Sequence, residues 1–517
     1  MTKKEKFLPK NLLRNFSVVG LWTLASRVLG FIRDILIALF LGSGPIAEAF
    51  LVAFTLPNMF RRLFAEGAFN TAFIPMLTKK ITIKDNPETF ASETLSILIA
   101  VLLLLTAIAE LIMPILVFGT ASGFSSDSRF DLSVDFGRVM FPYIFLISLS
   151  SFLSGILNCL NRYSITAAVP LLLNVFFIFS ILIAYIFKLN FGWALTVAVP
   201  LSGLFQLGII LIFLKKEPFL LQIKMPKLTP QVFQLMKIAI PAALAGGVIQ
   251  INLVVGRQVA SYFDGAVAWL NYADRVFQLP LGVVGIAIGV VLLPNLSKKN
   301  SKRHAKESNN IVNRSTEFAL FLTLPATCAL LLIPYPIINV LFERGAFTPL
   351  DTANTSKALF IYAIGLPAFV FQKIFATIYF ANGDTKSPLK FALAGMLANF
   401  FLAVGLSSFI GYLAPVVGTT FSGWLIAILL WKNSKKYGFY FDKKIKSLMP
   451  KLFFACFTFS IFLLLTSQFL SDFLTALTTK TIGIIIIILT SSIFYFFLCH
   501  VLGLKKSLIK SSSSKIT

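Results

Sequence analysis

Six arginines lie inside long apolar stretches of the chain: Arg27, Arg33, Arg61, Arg62, Arg257 and Arg275. An arginine that faced lipid at the centre of a bilayer would cost about 2.5 to 3.5 kcal/mol on insertion scales, so these side chains must face a polar interior. A guanidinium offers forked donors that match phosphate oxygens, and a dry site strengthens that attraction. The pattern therefore predicts a cationic site for an anionic ligand.

Nearby carboxylates could neutralise some of these arginines, and they are Asp34, Glu48, Glu66 and Asp274. Buried ions are usually paired. Glu66 follows Arg62 by one helical turn, a spacing that suits an internal pair. Arg27 and Asp34 are seven residues apart and share a helix face. Because six arginines outnumber four carboxylates, we expect positive charge to remain unmatched.

Other chemistry-bearing residues are few. Lys373, in FVFQKIFAT, is predicted to be a buried lysine that snorkels or pairs rather than a substrate ligand. With only two histidines, His304 and His500, the sequence predicts no histidine-based metal site. The four cysteines all fall in apolar segments, where thiols pack rather than form a disulfide framework. The sequence contains no ATPase-type phosphate loop and no nucleophile elbow, so it favours a protein that is not an enzyme and needs no cofactor.

The elements that must position the arginines are membrane helices. The 517 residues are 57% hydrophobic and 13% charged, with a mean hydropathy of +0.85, and several stretches exceed the roughly 20 apolar residues that a spanning helix needs. We predict an all-α polytopic membrane protein with fourteen helices, over 14–40, 48–77, 90–118, 135–158, 164–187, 191–214, 231–261, 267–296, 311–333, 352–380, 387–409, 413–431, 449–470 and 480–503.

Basic residues fall almost entirely on one side of this arrangement. If both termini share a side, the opposite connections hold only Arg129, Lys188, Arg344 and, at the border, Lys480. The positive-inside rule then places both termini in the cytoplasm. The net charge of +25 is therefore read as a topological signal and an attraction to anionic headgroups, not as a footprint for nucleic acid.

An internal repeat is indicated by two segments that close apolar runs with a proline and a double lysine. TAFIPMLTKK occupies 71–80 and VVLLPNLSKK occupies 290–299. Six helices per copy is an even number, so both copies enter the membrane in the same sense as a parallel repeat. We predict an N-terminal lobe over 1–225, a C-terminal lobe over 226–435 and an added helix pair over 436–517.

Several motifs resemble those of one family. SRVLGFIRD, GSGPIAEAF, AFTLPNMFRRLFAEGAFNTAFIP and WLNYADRVFQLPLGVVGIAIGVVLLPNLSK are similar to the MurJ (MviN) lipid II flippases of the multidrug/oligosaccharidyl-lipid/polysaccharide exporter superfamily. The resemblance implies an inner-membrane protein of bacteria with fourteen helices, a central cationic cavity between two lobes, and a lipid-tail groove at the last two helices. Such proteins move the undecaprenyl-pyrophosphate-linked peptidoglycan precursor from the cytoplasmic to the periplasmic leaflet.

By motif position, the resemblance implies substrate-binding roles for Arg27, Arg33, Arg61 and Arg275, and Arg257 matches a cavity arginine that only some members have. Supporting polar or ion-pair positions are Ser26, Asp34, Glu48, Asn58, Arg62, Glu66, Asn252, Asp274 and Lys373. One departure is Glu48, which stands where the family usually has aspartate.

Three alternatives remain open from the sequence. A cation-coupled multidrug exporter of the same fold would line its cavity with carboxylates and aromatic residues, and the arginine surplus argues against it. A membrane scaffold for cell-wall enzymes would not need unpaired charge. A flippase of another polyprenyl-linked saccharide is distinguished only by the family motifs. The expected partners are lipid II, membrane lipids and cell-wall synthesis enzymes, with no nucleic acid and no metal.

Overall fold

The computed structural model describes residues 10–61, 68–298, 305–475 and 479–504. Within these ranges the regular structure consists of α-helices and short 3-10 turns. The predicted all-α class is therefore confirmed. The chain divides into two compact units, Met1–Val267 and Ala268–Thr517.

The first unit begins with a long helix and contains eleven helices among its described residues. They are α1 (Lys10–Leu41), α2 (Pro45–Arg61), α3 (Ala68–Ile83), α4 (Pro87–Leu111), α5 (Met113–Ala121), α6 (Ser128–Met140), α7 (Tyr143–Cys159), α8 (Tyr163–Ala168), α9 (Leu171–Phe187), α10 (Phe191–Leu214) and α11 (Pro230–Ala260).

The second unit holds nearly all of α12 and the helices that follow it. They are α12 (Ala266–Lys298), α13 (Ala305–Leu332), α14 (Pro334–Phe342), α15 (Pro349–Ala381), α16 (Lys386–Gly405), α17 (Ser407–Ile410), α18 (Ala414–Ser434), α19 (Lys443–Phe469), α20 (Ser471–Thr475) and α21 (Lys480–Val501).

Ten helical stretches among the described residues are long and apolar enough to cross a membrane, which establishes a multi-pass architecture. One of them, over α10, coincides with the predicted helix 191–214. The fold is thus a polytopic helical one, while the count of fourteen spans stays a prediction.

Prolines divide three of the predicted helices. The helix predicted over 90–118 is split near Pro114, that over 135–158 near Pro142, and that over 164–187 near Pro170. Proline lacks an amide donor and its ring clashes with the preceding turn, so a helix can end there and a new one can begin. Not every proline does this, because Pro57, Pro200 and others lie inside continuous helices.

Aromatic side chains form much of the core of the first unit. Phe73 of α3 is fully buried, and its ring centroid lies 4.6 Å from that of Phe152 on α7 and 5.7 Å from that of Phe90 on α4. Contacts at these distances contribute about 0.5 to 1.5 kcal/mol beyond the area that they bury. They fix α3, α4 and α7 against one another.

In the second unit, a polar clip holds the start of the C-terminal helix pair against α13. Asn313 donates to the Tyr440 carbonyl at 3.0 Å and accepts from the Asp442 amide at 3.2 Å. Arg314 forms an ion pair with Asp442, the N-cap of α19. Further along, the Tyr495 hydroxyl of α21 donates to the Phe321 carbonyl of α13 at 2.8 Å. The predicted role of 436–517 as a lipid-tail groove stays a prediction.

Candidate substrate-binding site

Arg33 lies in a buried polar cluster between α1 and α9. Its Nε and Nη2 donate to Asp34 Oδ1 at 3.0 and 2.7 Å, and its Nη1 donates to Asn174 Oδ1 at 2.9 Å. The Asn174 amide in turn donates to the Ser26 carbonyl at 3.0 Å, and the Arg33 guanidinium lies 5.4 Å from the centroid of the Phe177 ring. The charge of Arg33 is therefore balanced by Asp34 inside the helix bundle.

Arg27, on the same helix, has no carboxylate that balances its charge among the described residues. It is exposed. Arg27 and Arg33 are six residues apart, which places them about 120° apart around a helix. The expected pairing of Arg27 with Asp34 is wrong in this structure, because the carboxylate turns to its neighbour Arg33. Arg27 thus keeps its charge available.

Arg61 ends α2 and is half-buried. Its Nε donates to Asn58 Oδ1 at 3.2 Å, across three residues of the same helix. The amide oxygen accepts from the guanidinium, so this contact orients the Arg61 side chain. Arg62 and Glu66, which were expected to pair, lie outside the described residues.

Glu48 forms an ion pair with an arginine that the sequence assigned only to an outer connection. Arg129 Nη1 donates to Glu48 Oε2 at 2.8 Å, and Arg129 also binds Asp127 at 2.6 Å and Asp264 at 2.8 Å. Glu48 is 1% and Arg129 6% exposed, and Glu48 Oε1 accepts from the Val267 amide at 3.0 Å. Hydrogen bonds from Arg129 hold the pKa of Asp127 below its usual range. Glu48 therefore does not neutralise any of the six predicted arginines.

The turn before α6 packs tightly on the end of α11. The Gly123 amide donates to Ser261 Oγ at 3.0 Å, and the Ser122 hydroxyl lies 2.8 Å from the Tyr262 hydroxyl. A Cβ atom on Gly123 would come within 2.5 Å of the backbone of Ser261 and Tyr262. Only glycine permits this approach. Together with the Arg129 network, it fixes one end of the first unit.

The remaining predicted residues are partly accessible. On α11, Asn252 and Arg257 are half-buried. In the second unit, Asp274 and Arg275 are half-buried, and Asp274 accepts a hydrogen bond from Gln278. Lys373 was predicted to be buried but is exposed, and its Nζ donates to the Leu281 carbonyl at 3.5 Å. A flexible four-carbon stem explains the difference, because it carries the ammonium away from the apolar helix.

The arrangement in the first unit suits anion binding. It offers an exposed guanidinium at Arg27 and an oriented one at Arg61, and it places no carboxylate in ion-pair contact with Arg27 among the described residues. The described residues contain no group of three or more residues able to hold a metal ion. Sequence reasoning missed the Arg129 network because its members are far apart in the chain. Asn174 carried a signal, since an amide inside an apolar run requires partners.

The profile of one family, described as lipid II flippase MurJ, matches residues 37–500. The chain belongs to the MurJ lipid II flippase family. A probable lipid II flippase MurJ of Rhizobium tropici is 43% identical over 435 residues, which cover 83% of this chain and 82% of that relative. A probable MurJ of Rickettsia prowazekii (strain Madrid E) is 33% identical over 472 residues, covering 90% of this chain and 92% of that relative.

Solved structures agree with the family assignment. The structure of a lipid II flippase MurJ in an inward closed conformation aligns with a TM-score of 0.79 and 25% identity, covering 94% of this chain and 99% of that one. An inward-facing multidrug resistance transporter of the MATE family, from the MOP superfamily, aligns with a TM-score of 0.65 and 15% identity, covering 82% of this chain and 96% of that one. The second likeness concerns the fold alone, which MurJ proteins and MATE transporters share.

Proposed function

We propose that this protein flips lipid II from the cytoplasmic to the periplasmic leaflet of the bacterial inner membrane by alternating access, with both termini in the cytoplasm. Membership of the MurJ family supports the activity, and the one-sided distribution of basic residues supports the orientation. In this role the protein moves a lipid across the bilayer and makes or breaks no covalent bond.

The observation that carries the proposal is the contrast between two arginines of α1. Arg33 is buried and balanced by Asp34, whereas Arg27 is exposed without an ion-pair partner among the described residues. An uncompensated guanidinium on a membrane helix is costly unless the helix faces water or a ligand. A pyrophosphate supplies the missing negative charge, and the planar fork of arginine matches its oxygens.

In the proposed mechanism Arg27, Arg61 and Arg257 hold the pyrophosphate. Arg33 and Arg275 are assigned supporting places in the binding region, with Arg33 keeping α1 in register with α9 through Asn174. The sugar-peptide headgroup occupies a wet cleft, and the polyprenyl tail stays in lipid, guided by the helix pair of 436–517. Binding advances the transport cycle only if the ligand has a higher affinity for one conformation than for the other.

The first prediction tests the assignment of Arg27. Replacing Arg27 with alanine removes a charge-assisted contact of about 1.5 to 3 kcal/mol, so we expect flipping of labelled lipid II in proteoliposomes to fall by about one to two orders of magnitude. Arg27→Lys keeps the charge without the fork and should retain intermediate activity. Arg162→Ala is the control, because Arg162 is exposed and its charge is already paired with Glu217. Normal flipping by Arg27→Ala at an equal protein-to-lipid ratio would refute the assignment.

A further inference from the structure

The connection between α10 and α11 is held against α4 in an unusual way. We call residues 218–228 the strap, and they contain no helix. The Leu220 amide donates to Glu88 Oε1 at 3.0 Å, the Gln222 amide to Ser92 Oγ at 3.1 Å and the Lys224 amide to Ser96 Oγ at 2.9 Å. Alternate residues of the strap thus bond to side chains spaced one turn apart on α4.

The register of this ladder follows from chain geometry. Two residues of extended chain advance about 6.6 Å, and four residues of α-helix advance about 6 Å. An extended segment can therefore follow one face of a helix and meet an acceptor at every turn. Pro218 and Pro226 lie in the strap and oppose helix formation. The ladder gives hydrogen-bond partners to two buried serines of α4, Ser92 and Ser96.

The ladder also sets the depth that the strap reaches. From Glu88 to Ser96 the strap advances about 12 Å along α4. The first residues of α4 include Glu88 and Glu93, and its apolar run begins near Leu95 and continues into α5. The ladder therefore places the strap where α4 passes from the headgroup level to the acyl chains. Backbone amides at that depth need acceptors, which the side chains of α4 provide.

The side chains of the strap are apolar and basic. Leu220, Ile223, Met225 and Leu228 are 72%, 75%, 82% and 60% exposed. Lys224 and Lys227 alternate with them, and Lys215 and Lys216 precede them. The nearby acid Glu217 is already paired with Arg162 at 2.7 Å. The four lysines outnumber the two remaining acids, Glu88 and Glu93 of α4, which accept from the Leu220 amide and the Thr229 hydroxyl. The exposed surface is thus apolar with a net positive charge, which complements anionic lipid.

We propose that the strap is a lipid anchor. The side chains of Ile223 and Met225 enter the acyl boundary of the leaflet at the N-terminal end of α4, which the charge distribution predicts to be the cytoplasmic leaflet. Lys224 and Lys227 extend back to anionic phosphate headgroups. The anchor ties the α10–α11 connection to both α4 and the membrane surface. It is independent of the flipping activity, because none of its residues belongs to the proposed pyrophosphate site.

The test measures how deeply the strap lies in the lipid and does not depend on flipping activity. Purified full-length protein, with its four cysteines replaced by serine, is spin-labelled through Ile223→Cys or Met225→Cys and placed in phosphatidylcholine nanodiscs with or without phosphatidylglycerol. Collisional accessibility to oxygen and to a water-soluble nickel chelate then reports depth. Leu104→Cys, exposed in the C-terminal half of α4, is the lipid reference, and Ser126→Cys, in an exposed turn, is the water reference.

We expect the ratio of oxygen accessibility to nickel accessibility at positions 223 and 225 to be several-fold above the ratio at position 126. It should lie nearer to the ratio at position 104. Phosphatidylglycerol should raise the ratio further, and Lys224→Gln with Lys227→Gln should abolish that increase. Ser92→Ala with Ser96→Ala should increase the mobility of the labels, because two of the three hydrogen bonds of the ladder are lost. If the labels at 223 and 225 are as accessible to nickel as the label at 126, the strap lies in water and the proposal is overturned. The strap would then be a candidate binding surface for a peptide instead. Size-exclusion profiles confirm that each variant is folded.

Discussion

Asn174 provides one of the hydrogen-bond acceptors for the buried Arg33 guanidinium in the first unit. Its amide oxygen accepts from Arg33 and its amide nitrogen donates to the Ser26 carbonyl, so one side chain joins the charged cluster to the backbone of α1. Gly30 lies against it, since a Cβ there would be 3.5 Å from the Asn174 amide nitrogen. A small residue and an amide thus let α1 and α9 pack closely around an ion pair.

Asn174→Ala is expected to destabilise the protein. The substitution leaves an Arg33 donor and the Ser26 carbonyl without this partner, and a buried polar group that loses its hydrogen bond costs about 1 to 3 kcal/mol. We expect a lower midpoint of thermal unfolding in detergent, measured by size-exclusion chromatography of samples heated to increasing temperatures. Ser180→Ala on the same helix is the control, because Ser180 bonds only within α9, to the Phe177 carbonyl at 2.9 Å. Equal midpoints for the two variants would contradict this role of Asn174.

The sequence predicted the residue types of the site better than their partners. Arginine within apolar segments required a polar environment, and Arg33 with Asp34 meets that requirement. The partners could not be predicted, because an ion pair such as Glu48 with Arg129 joins residues 81 positions apart. Seven-residue spacing suggested Arg27 for Asp34, but the flexible arginine at the adjacent position reaches the same carboxylate. Substrate contacts of Arg27, Arg61, Arg257 and Arg275 stay predictions.

At the scale of elements, hydropathy located the apolar segments but not their internal breaks. The predicted helices 191–214 and 231–261 agree with α10 and α11 within one residue. Those over 90–118, 135–158 and 164–187 are each two helices, since a proline can interrupt an apolar run without changing its hydropathy. The short helix α14 was missed because its nine residues cannot span a bilayer.

Gly123→Ala is expected to disturb the junction between the turn before α6 and the end of α11. The new methyl group would lie 2.5 Å from the Ser261 carbonyl carbon, and backbone cannot move aside as a side chain can. Overpacking of this kind costs about 1 to 3 kcal/mol. Gly119→Ala on α5 is the matched control, since nothing lies within 4 Å of a Cβ there. The midpoint of thermal unfolding should fall for the first variant only, and an unchanged midpoint would argue against the close contact.

The turn between α15 and α16 is held by hydrogen bonds to the Asp384 carboxylate. Hydrogen bonds from Ser387, Tyr437 and Lys436 hold the pKa of Asp384 well below its usual range. A lowered pKa means that the folded state favours the carboxylate, so the stabilisation is present above the ordinary value of about 3.9 and is lost as the pH falls through the folded-state pKa.

Asp384→Asn removes that titration. We expect the thermal midpoint of the unsubstituted protein to exceed that of Asp384→Asn at pH 7, and the difference to shrink once the pH falls below about 4. Both proteins are measured over the same series of buffers. A difference that stays constant down to pH 3 would show that the carboxylate charge does not stabilise this turn.

At the scale of the whole molecule, the even number of predicted spans makes a topological prediction. In a cysteine-free background, Ser126→Cys should react with an impermeant thiol reagent added to cells whose outer membrane is permeabilised. Lys435→Cys, on the predicted cytoplasmic side, should react only after lysis. Both positions are exposed, so a difference reports sidedness rather than burial. Labelling of both positions, or of Lys435→Cys alone, in unlysed cells would refute the proposed orientation.

Several cations assigned to the predicted outer side are already engaged by the protein. Arg129 is surrounded by three carboxylates, Lys480 donates to the Asn339 and Glu343 carbonyls at 3.3 and 2.9 Å, and Arg344 donates to the Val340 carbonyl at 2.9 Å. Backbone carbonyls leave the charges of Lys480 and Arg344 in place, whereas the three carboxylates around Arg129 exceed its single positive charge. That end of the first unit therefore has no net positive charge that could retain a diphosphate, and we expect it to favour release of an anionic cargo over its capture.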